Sequence, residues 1–164
     1  MSDTNPKTIL LSPTEVTLTR EAKAAVDHIF PGMLVERVED GHLEHPDNGT
    51  RQPHSTAGAI AQLSWAIEYR QTGKGIDDEY EEGDNMIEVV CRQGEHIYAF
   101  LDAGEACASG GDDSWLSSAG NGFLRVARIG DWVVAQAKEA VNNGAGASPV
   151  RFKVEVVTGP SPAS

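Results

Sequence analysis

Residues 75–127 read GIDDEYEEGDNMIEVVCRQGEHIYAFLDAGEACASGGDDSWLSSAGNGFLRVA, a series of short apolar runs cut by Gly-Asp and Asn-Gly turn signals. Such punctuation leaves room for strands and little else. Two runs, 86–91 and 96–101, flank Arg92-Gln93-Gly94-Glu95 and predict a β-hairpin. A tight acidic turn follows at 110–114, then a brief strand at Trp115-Leu116, a Gly120-Asn121-Gly122 turn and another strand over 123–128. The residue types of this stretch form no catalytic cluster.

The flanking segments carry the same signature less cleanly. Residues 8–11, Thr-Ile-Leu-Leu, form a small apolar patch, and Val16 and Leu18 alternate with polar neighbours. This is the pattern of an extended arm. Residues 20–28 are rich in Ala and predict a helical turn or two, ended by Pro31-Gly32. Residues 33–38 and 42–45 predict a hairpin about an Asp40-Gly41 turn, and 46–56 a polar loop. The run 57–69 offers Ile60, Leu63, Trp65 and Ile67 to the core as a strand or a short helix. Residues 132–141 alternate with period two, although their Ala and Glu content suits a helix; 150–156 alternate without ambiguity. The fold expected is mainly β: a small β-barrel or β-tulip-like domain of short antiparallel strands. Its divisions are an extended N-terminal arm over 1–20, a single β-rich domain over 21–158 and a flexible tail over 159–164.

At 164 residues the chain suits one domain, which buries about 68–70% of the surface exposed by its unfolded state. The 25 Asp and Glu outnumber 13 Lys and Arg, giving a net charge of −12. That charge repels DNA phosphates and anionic membranes, so neither direct nucleic-acid binding nor membrane attachment is expected. The N-terminal residues have no basic segment followed by a long apolar run, and read as neither a signal peptide nor a membrane span. Cys91 lies in an apolar strand pattern, and both it and Cys107 are expected as free thiols.

Each chemical motif has a plainer alternative. His42, His45 and His54 invite a metal, but their spacing in a predicted hairpin does not assemble ligands. Asp77, Asp78, Glu79, Glu81, Glu82 and Asp84 supply oxygens without the spacing of a calcium loop, and read as a solvated charged loop. Residues 108–114 place two carboxylates where a phosphate-binding glycine loop needs a Lys. Ser117 and Ser118 lack a Gly-x-Ser-x-Gly elbow. Trp65, Trp115 and Trp132 suit packing better than a sugar-stacking platform. No catalytic residue, metal or cofactor is expected, and the chain does not read as an enzyme.

Three pieces in order carry a resemblance: Pro31-Gly32-Met33-Leu34-Val35 before an Asp-Gly turn, Gly83-Asp84 leading into strands that end Leu101-Asp102-Ala103-Gly104, and Ser117-Ser118-Ala119-Gly120-Asn121-Gly122. Over roughly residues 30–157 the chain resembles the head-decoration, capsid-stabilising (cement) proteins of tailed bacteriophages. The resemblance implies a structural virion protein on the outer capsid surface, made in the host cytoplasm. It also implies homotrimers and the major capsid protein as partner. The arm would then grip the shell through Thr8, Ile9, Leu10, Leu11, Val16 and Leu18, adding a strand to a coat-protein sheet edge. Rival readings are a carbohydrate-binding β-sandwich module and a small metal-dependent barrel enzyme.

Overall fold

The computed structural model describes residues 6–12, 17–38 and 49–162. Its strands are β1 (Leu18–Ala24), β2 (Val35–Arg37), β3 (Thr50–Pro53), β4 (Ser64–Ile67), β5 (Asn85–Val90), β6 (His96–Leu101), β7 (Ala106–Cys107), β8 (Trp115–Ser118), β9 (Leu124–Val126), β10 (Trp132–Ala137), β11 (Val141–Asn142) and β12 (Val150–Pro160). Helix is confined, among the described residues, to single 3-10 turns at Arg70–Thr72 and Asp112–Ser114. The chain is mainly β.

Pairing runs β10–β12–β6–β9–β8 and returns to β10, closing a small barrel. The clean alternation of β12 places Phe152, Val154 and Val156 in the main core, with Phe152 opposite Ala99 and Val154 opposite Ile97 of antiparallel β6. On β10 the alternation fails, because Val133, Val134 and Ala135 are all buried. A register shift between Val133 and Ala135 against both neighbouring strands accompanies this, and Val134, Ala135 and Ala137 join the main core. The alternating pattern over 132–137 is nevertheless a strand, and the helical alternative falls away.

A second five-stranded sheet has the order β2–β3–β1–β5–β4. One face holds its own small core of Ala22, Ala24, Ile29, Val35, Ala66, Tyr80 and Met86. Trp65 and Val89 belong instead to the main core, together with Leu34, Ile97 and Leu116. Gly32 lies at the junction with φ +99°, where a Cβ would sit 2.8 Å from the Tyr98 carbonyl oxygen. Both the dihedral and the space select glycine.

Several expectations need correction. Residues 86–91 and 96–101 are strands, yet they do not pair: β5 lies between β1 and β4, whereas β6 lies between β12 and β9. The 92–95 turn spends its backbone on β12, with Gly94 N–H donating to Val156 O and Val156 N–H to Glu95 O, both at 2.8 Å. The buried Glu95 carboxylate then accepts the Arg92 N–H at 2.7 Å, making a corner between sheets rather than a hairpin. Residues 20–24 are not helical but end β1, whose pairing with β5 runs through six residues and overrides the local preference of Ala. β2 pairs with β3, so part of the expected 46–56 loop is a strand; the proposed partner at 42–45 lies outside the described residues. Ile60, expected in the core, is 71% exposed. β12 extends through Pro160 and Ser161 N–H donates to Asp131 O, so the described part of the expected tail is ordered ladder.

Candidate functional site

The apolar patch at 8–11 is attached to the barrel of its own chain. Pairing of β6 with β9 involves only Leu101 and Leu124. Nearer the start of β6 its edge is taken by the N-terminal segment: Tyr98 N–H donates to Ile9 O (2.8 Å), Leu11 N–H to His96 O (2.9 Å), and Leu10 bridges Ile97. The Glu68 carboxylate clasps this segment, accepting from Thr8 Oγ1 (2.6 Å) and Ile9 N–H (3.1 Å). Ile9 is fully buried in the main core. Of the six residues expected to grip a partner, Ile9 is therefore spent internally, Leu10 and Leu11 are half-buried, and Leu18 begins β1 with 46% exposure. Val16 lies outside the described residues.

Most of the pieces that carry the family resemblance meet in space. Leu34 N–H donates to Gly122 O (2.8 Å), and Gly122 N–H to His54 O (3.2 Å). Asn121 Nδ2 donates to Asp102 Oδ2 (3.2 Å), while Asp102 N–H donates to Leu124 O (2.8 Å). Arg151 fastens the other side, stacking 4.4 Å from the Phe100 ring centroid and donating to the carbonyls of Pro31 and Ile76 and to Asp77. The 31–35, 101–104 and 117–122 segments thus form one knot where the two β units join. Gly83-Asp84 lies elsewhere, on β1, through Gly83 N–H to Ala24 O.

At this knot Ser118 Oγ lies 2.7 Å from His54 Nδ1, and His54 Nε2 lies 3.7 Å from Glu36 Oε2. Serine, imidazole and carboxylate in line are the parts of a hydrolytic triad. Here Ser118 is fully buried and its oxygen also accepts Gly120 N–H at 3.1 Å, so no acyl carbon reaches it. The arrangement fastens β3 to β8. Burial alone would raise the Glu36 pKa, but hydrogen bonds from Ser55 and Gln52 and the nearby His54 hold it below the usual carboxylate range. Ser117 donates instead to Asp131 (2.8 Å), which also takes both oxygens' worth of contact from Arg125.

The other candidates disperse. Among the described residues no three His, Cys, Asp or Glu side chains are placed to hold a metal; His42 and His45 lie outside them. Trp65 is fully buried, while Trp132 and Trp115 are separated by about four residues along the β10–β8 pairing, roughly 13 Å. The 108–114 segment is a turn closed by Ser114 Oγ to Gly111 O (2.7 Å). Cys91 and Cys107 are unpaired and buried, and burial first, then Glu95, pushes the Cys91 thiol well up.

The acidic loop spends its carboxylates separately: Asp78 on Gly75 N–H, Asp84 on Lys74 Nζ, Glu79 on His28. Tyr80 anchors it from inside, donating to Ile67 O (2.6 Å) with a pKa pushed up to about 12 by burial. The hydrogen bond that His28 donates to Glu79 first, and then the Glu79 charge, raises the exposed His28 above its ordinary 6.5. A raised folded-state pKa stabilises fully below 6.5 and is lost as pH rises through the folded value. Imidazole titration by NMR should therefore give a His28 midpoint above 6.5, returning toward it in Glu79→Gln; an unshifted midpoint in the parent would contradict the pair.

Sequence reasoning missed one buried feature altogether. Arg51 on β3 and Glu88 on β5 form a bidentate ion pair inside the second sheet, with Nε to Oε2 at 2.8 Å and Nη2 to Oε1 at 2.6 Å. The signal available was the carboxylate within the apolar run Met86-Ile87-Glu88-Val89-Val90, which demands a partner once that run is buried. No protein-family model matches the chain, and no curated protein matches it.

Proposed function

We propose that this protein is a structural, non-enzymatic component of a bacteriophage head, bound to the outside of the capsid and bracing neighbouring coat-protein subunits. The observation that carries the reading is the knot itself. Segments 31–35, 101–104 and 117–122, which carry the resemblance to head-decoration proteins, are joined by Leu34–Gly122 and Asn121–Asp102 hydrogen bonds at the junction of two β units. A brace has to transmit force without deforming, and a closed barrel fastened to a second sheet through a shared core suits that task. Many modest contacts made at once supply the grip. With Ile9 committed to the barrel, the shell-facing role of the N-terminal segment passes to Leu10, Leu11 and Leu18. The net charge of −12 agrees with a position away from packaged DNA.

Titrating the full-length protein onto purified shells of the major capsid protein from the same phage tests this reading. Saturable binding at a fixed ratio per capsomer, with a higher shell melting temperature, is expected. Shells that neither retain the protein nor melt higher at saturating concentration would refute it.

A further inference from the structure

An asparagine followed by glycine can cyclise onto the glycine nitrogen, because no side chain shields that atom. The chain holds three such pairs, at 48–49, 121–122 and 143–144. Asn48 lies outside the described residues. At Asn143 the fold locks the carboxamide: the residue is 7% exposed, and Nδ2 donates to Asp102 O (3.1 Å) and Ser148 O (2.9 Å). Its Oδ1 packs against Gly146, where a Cβ would stand 1.8 Å away. Turning this side chain toward Gly144 N would break both bonds with little water to replace them.

Asn121 differs in each respect. It is exposed, and among the described residues Nδ2 has one partner, Asp102 Oδ2 at 3.2 Å. Its Oδ1 accepts Phe123 N–H at 3.1 Å. This bond reaches across Gly122 and folds the carboxamide over the nitrogen that would attack it. It also stabilises the negative charge that attack places on Oδ1. The restraint on the nucleophile is Gly122 N–H donating to His54 O at 3.2 Å, the long end of the hydrogen-bond range.

We infer that Asn121 is a site of spontaneous deamidation, with water as the co-reactant, and that its conversion loosens the knot where the two β units join. Gly122 N loses its proton to solvent hydroxide and attacks Asn121 Cγ. The new N–Cγ bond closes a succinimide while the Cγ–Nδ2 bond breaks, and the nitrogen departs as ammonia with a proton taken from water. Water then opens the ring: cleavage between N and Cγ leaves an aspartate, and cleavage at the main-chain carbonyl leaves an isoaspartate. One water is consumed, one ammonia is released, hydroxide is regenerated, and nothing is oxidised or reduced. Either product damages the knot. A carboxylate replaces the donor that faced Asp102, so an attractive contact becomes a like-charge one. Isoaspartate also lengthens the main chain by one carbon before Gly122. That residue has no slack: its O accepts Leu34 N–H at 2.8 Å, and a Cβ on it would lie 2.9 Å from Pro53 Cβ. The inference concerns the chain's own chemistry and does not rest on capsid binding.

Peptide mapping of the full-length protein, aged in mildly alkaline buffer, tests it. Trypsin places Asn48, Asn121 and Asn143 in separate peptides, 38–51, 93–125 and 139–151, and Asn121 is the one asparagine of 93–125. The amide-to-acid mass shift is expected in 93–125 at least about tenfold faster than in 139–151, with isoaspartate among the products. In urea the two rates should converge, because the hydrogen bonds that hold Asn143 are gone. As 93–125 converts, hydrogen exchange should show falling protection at Leu34 N–H, which donates to Gly122 O, and at Asp102 N–H, which donates to Leu124 O. Asn121→Ser keeps an oxygen for Phe123 N–H and cannot form the succinimide, so its Leu34 protection should survive the same ageing. A native 93–125 that keeps its amide, or that converts no faster than 139–151, would overturn the inference. So would conversion that leaves Leu34 protection unchanged, or an equal loss of protection in aged Asn121→Ser.

Discussion

Glu88→Ala lowers the unfolding free energy by about 3–5 kcal/mol, a fall in melting temperature of roughly 6–20 °C for a domain of this size. The cause is what remains behind. Arg51, only 7% exposed, loses the carboxylate that accepts from its Nε and Nη2, and keeps only the carbonyls of Gly49 and Thr50. A guanidinium buried to this degree has little water to replace that partner. The double variant Arg51→Met/Glu88→Leu removes both charges and should lie within about 2 kcal/mol of the parent. Urea denaturation distinguishes the three proteins. A Glu88→Ala midpoint equal to that of the parent would show that the pair is not buried as described.

Ile9→Ala costs about 2–5 kcal/mol, because it empties a fully buried site in the main core. If the 8–11 segment were a free arm, the same substitution would stay within about 0.5 kcal/mol. The two outcomes separate widely in a denaturant titration. Hydrogen exchange gives a second reading at one amide: Tyr98 N–H donates to Ile9 O, and its protection should fall in the variant more than that of Ala99. Truncation through residue 18 would thus remove a stave of the barrel together with the segment proposed to face a shell. Leu11→Asp, at a half-buried position, is the cleaner probe of that proposed contact.

How legible the chain was differed from element to element. β12 was plain, since Phe152, Val154 and Val156 alternate with Arg151, Lys153 and Glu155, and a strand with one buried face has to read that way. β8, β9 and the Gly120-Asn121-Gly122 turn between them were legible for the same local reason. β1 was obscured because Ala22 and Ala24 suit a narrow sheet interior as well as they suit a helix, and only the opposing β5 arbitrates. The 86–101 region had both strands right and their partnership wrong. A four-residue turn between two apolar runs is a hairpin signal whether its backbone bonds to itself or, as here, to Val156. For the candidate site, the segments of the knot were visible, but their meeting was not; Ser118, His54 and Glu36 are far apart in the chain and share no spacing.

Strand-forming runs cut at short intervals by glycine and acidic turns settle a mainly β fold before any contact is known, because such runs are too brief for helices. The excess of carboxylates is likewise a property of the chain alone. Tertiary structure decided the partnerships: that β5 and β6 serve different sheets, that Ile9 completes the barrel, and that Glu88 finds Arg51. The physical reason is the same in each case. Strand propensity and charge reside in a residue and its neighbours, whereas burial and pairing are set by residues dozens of positions away.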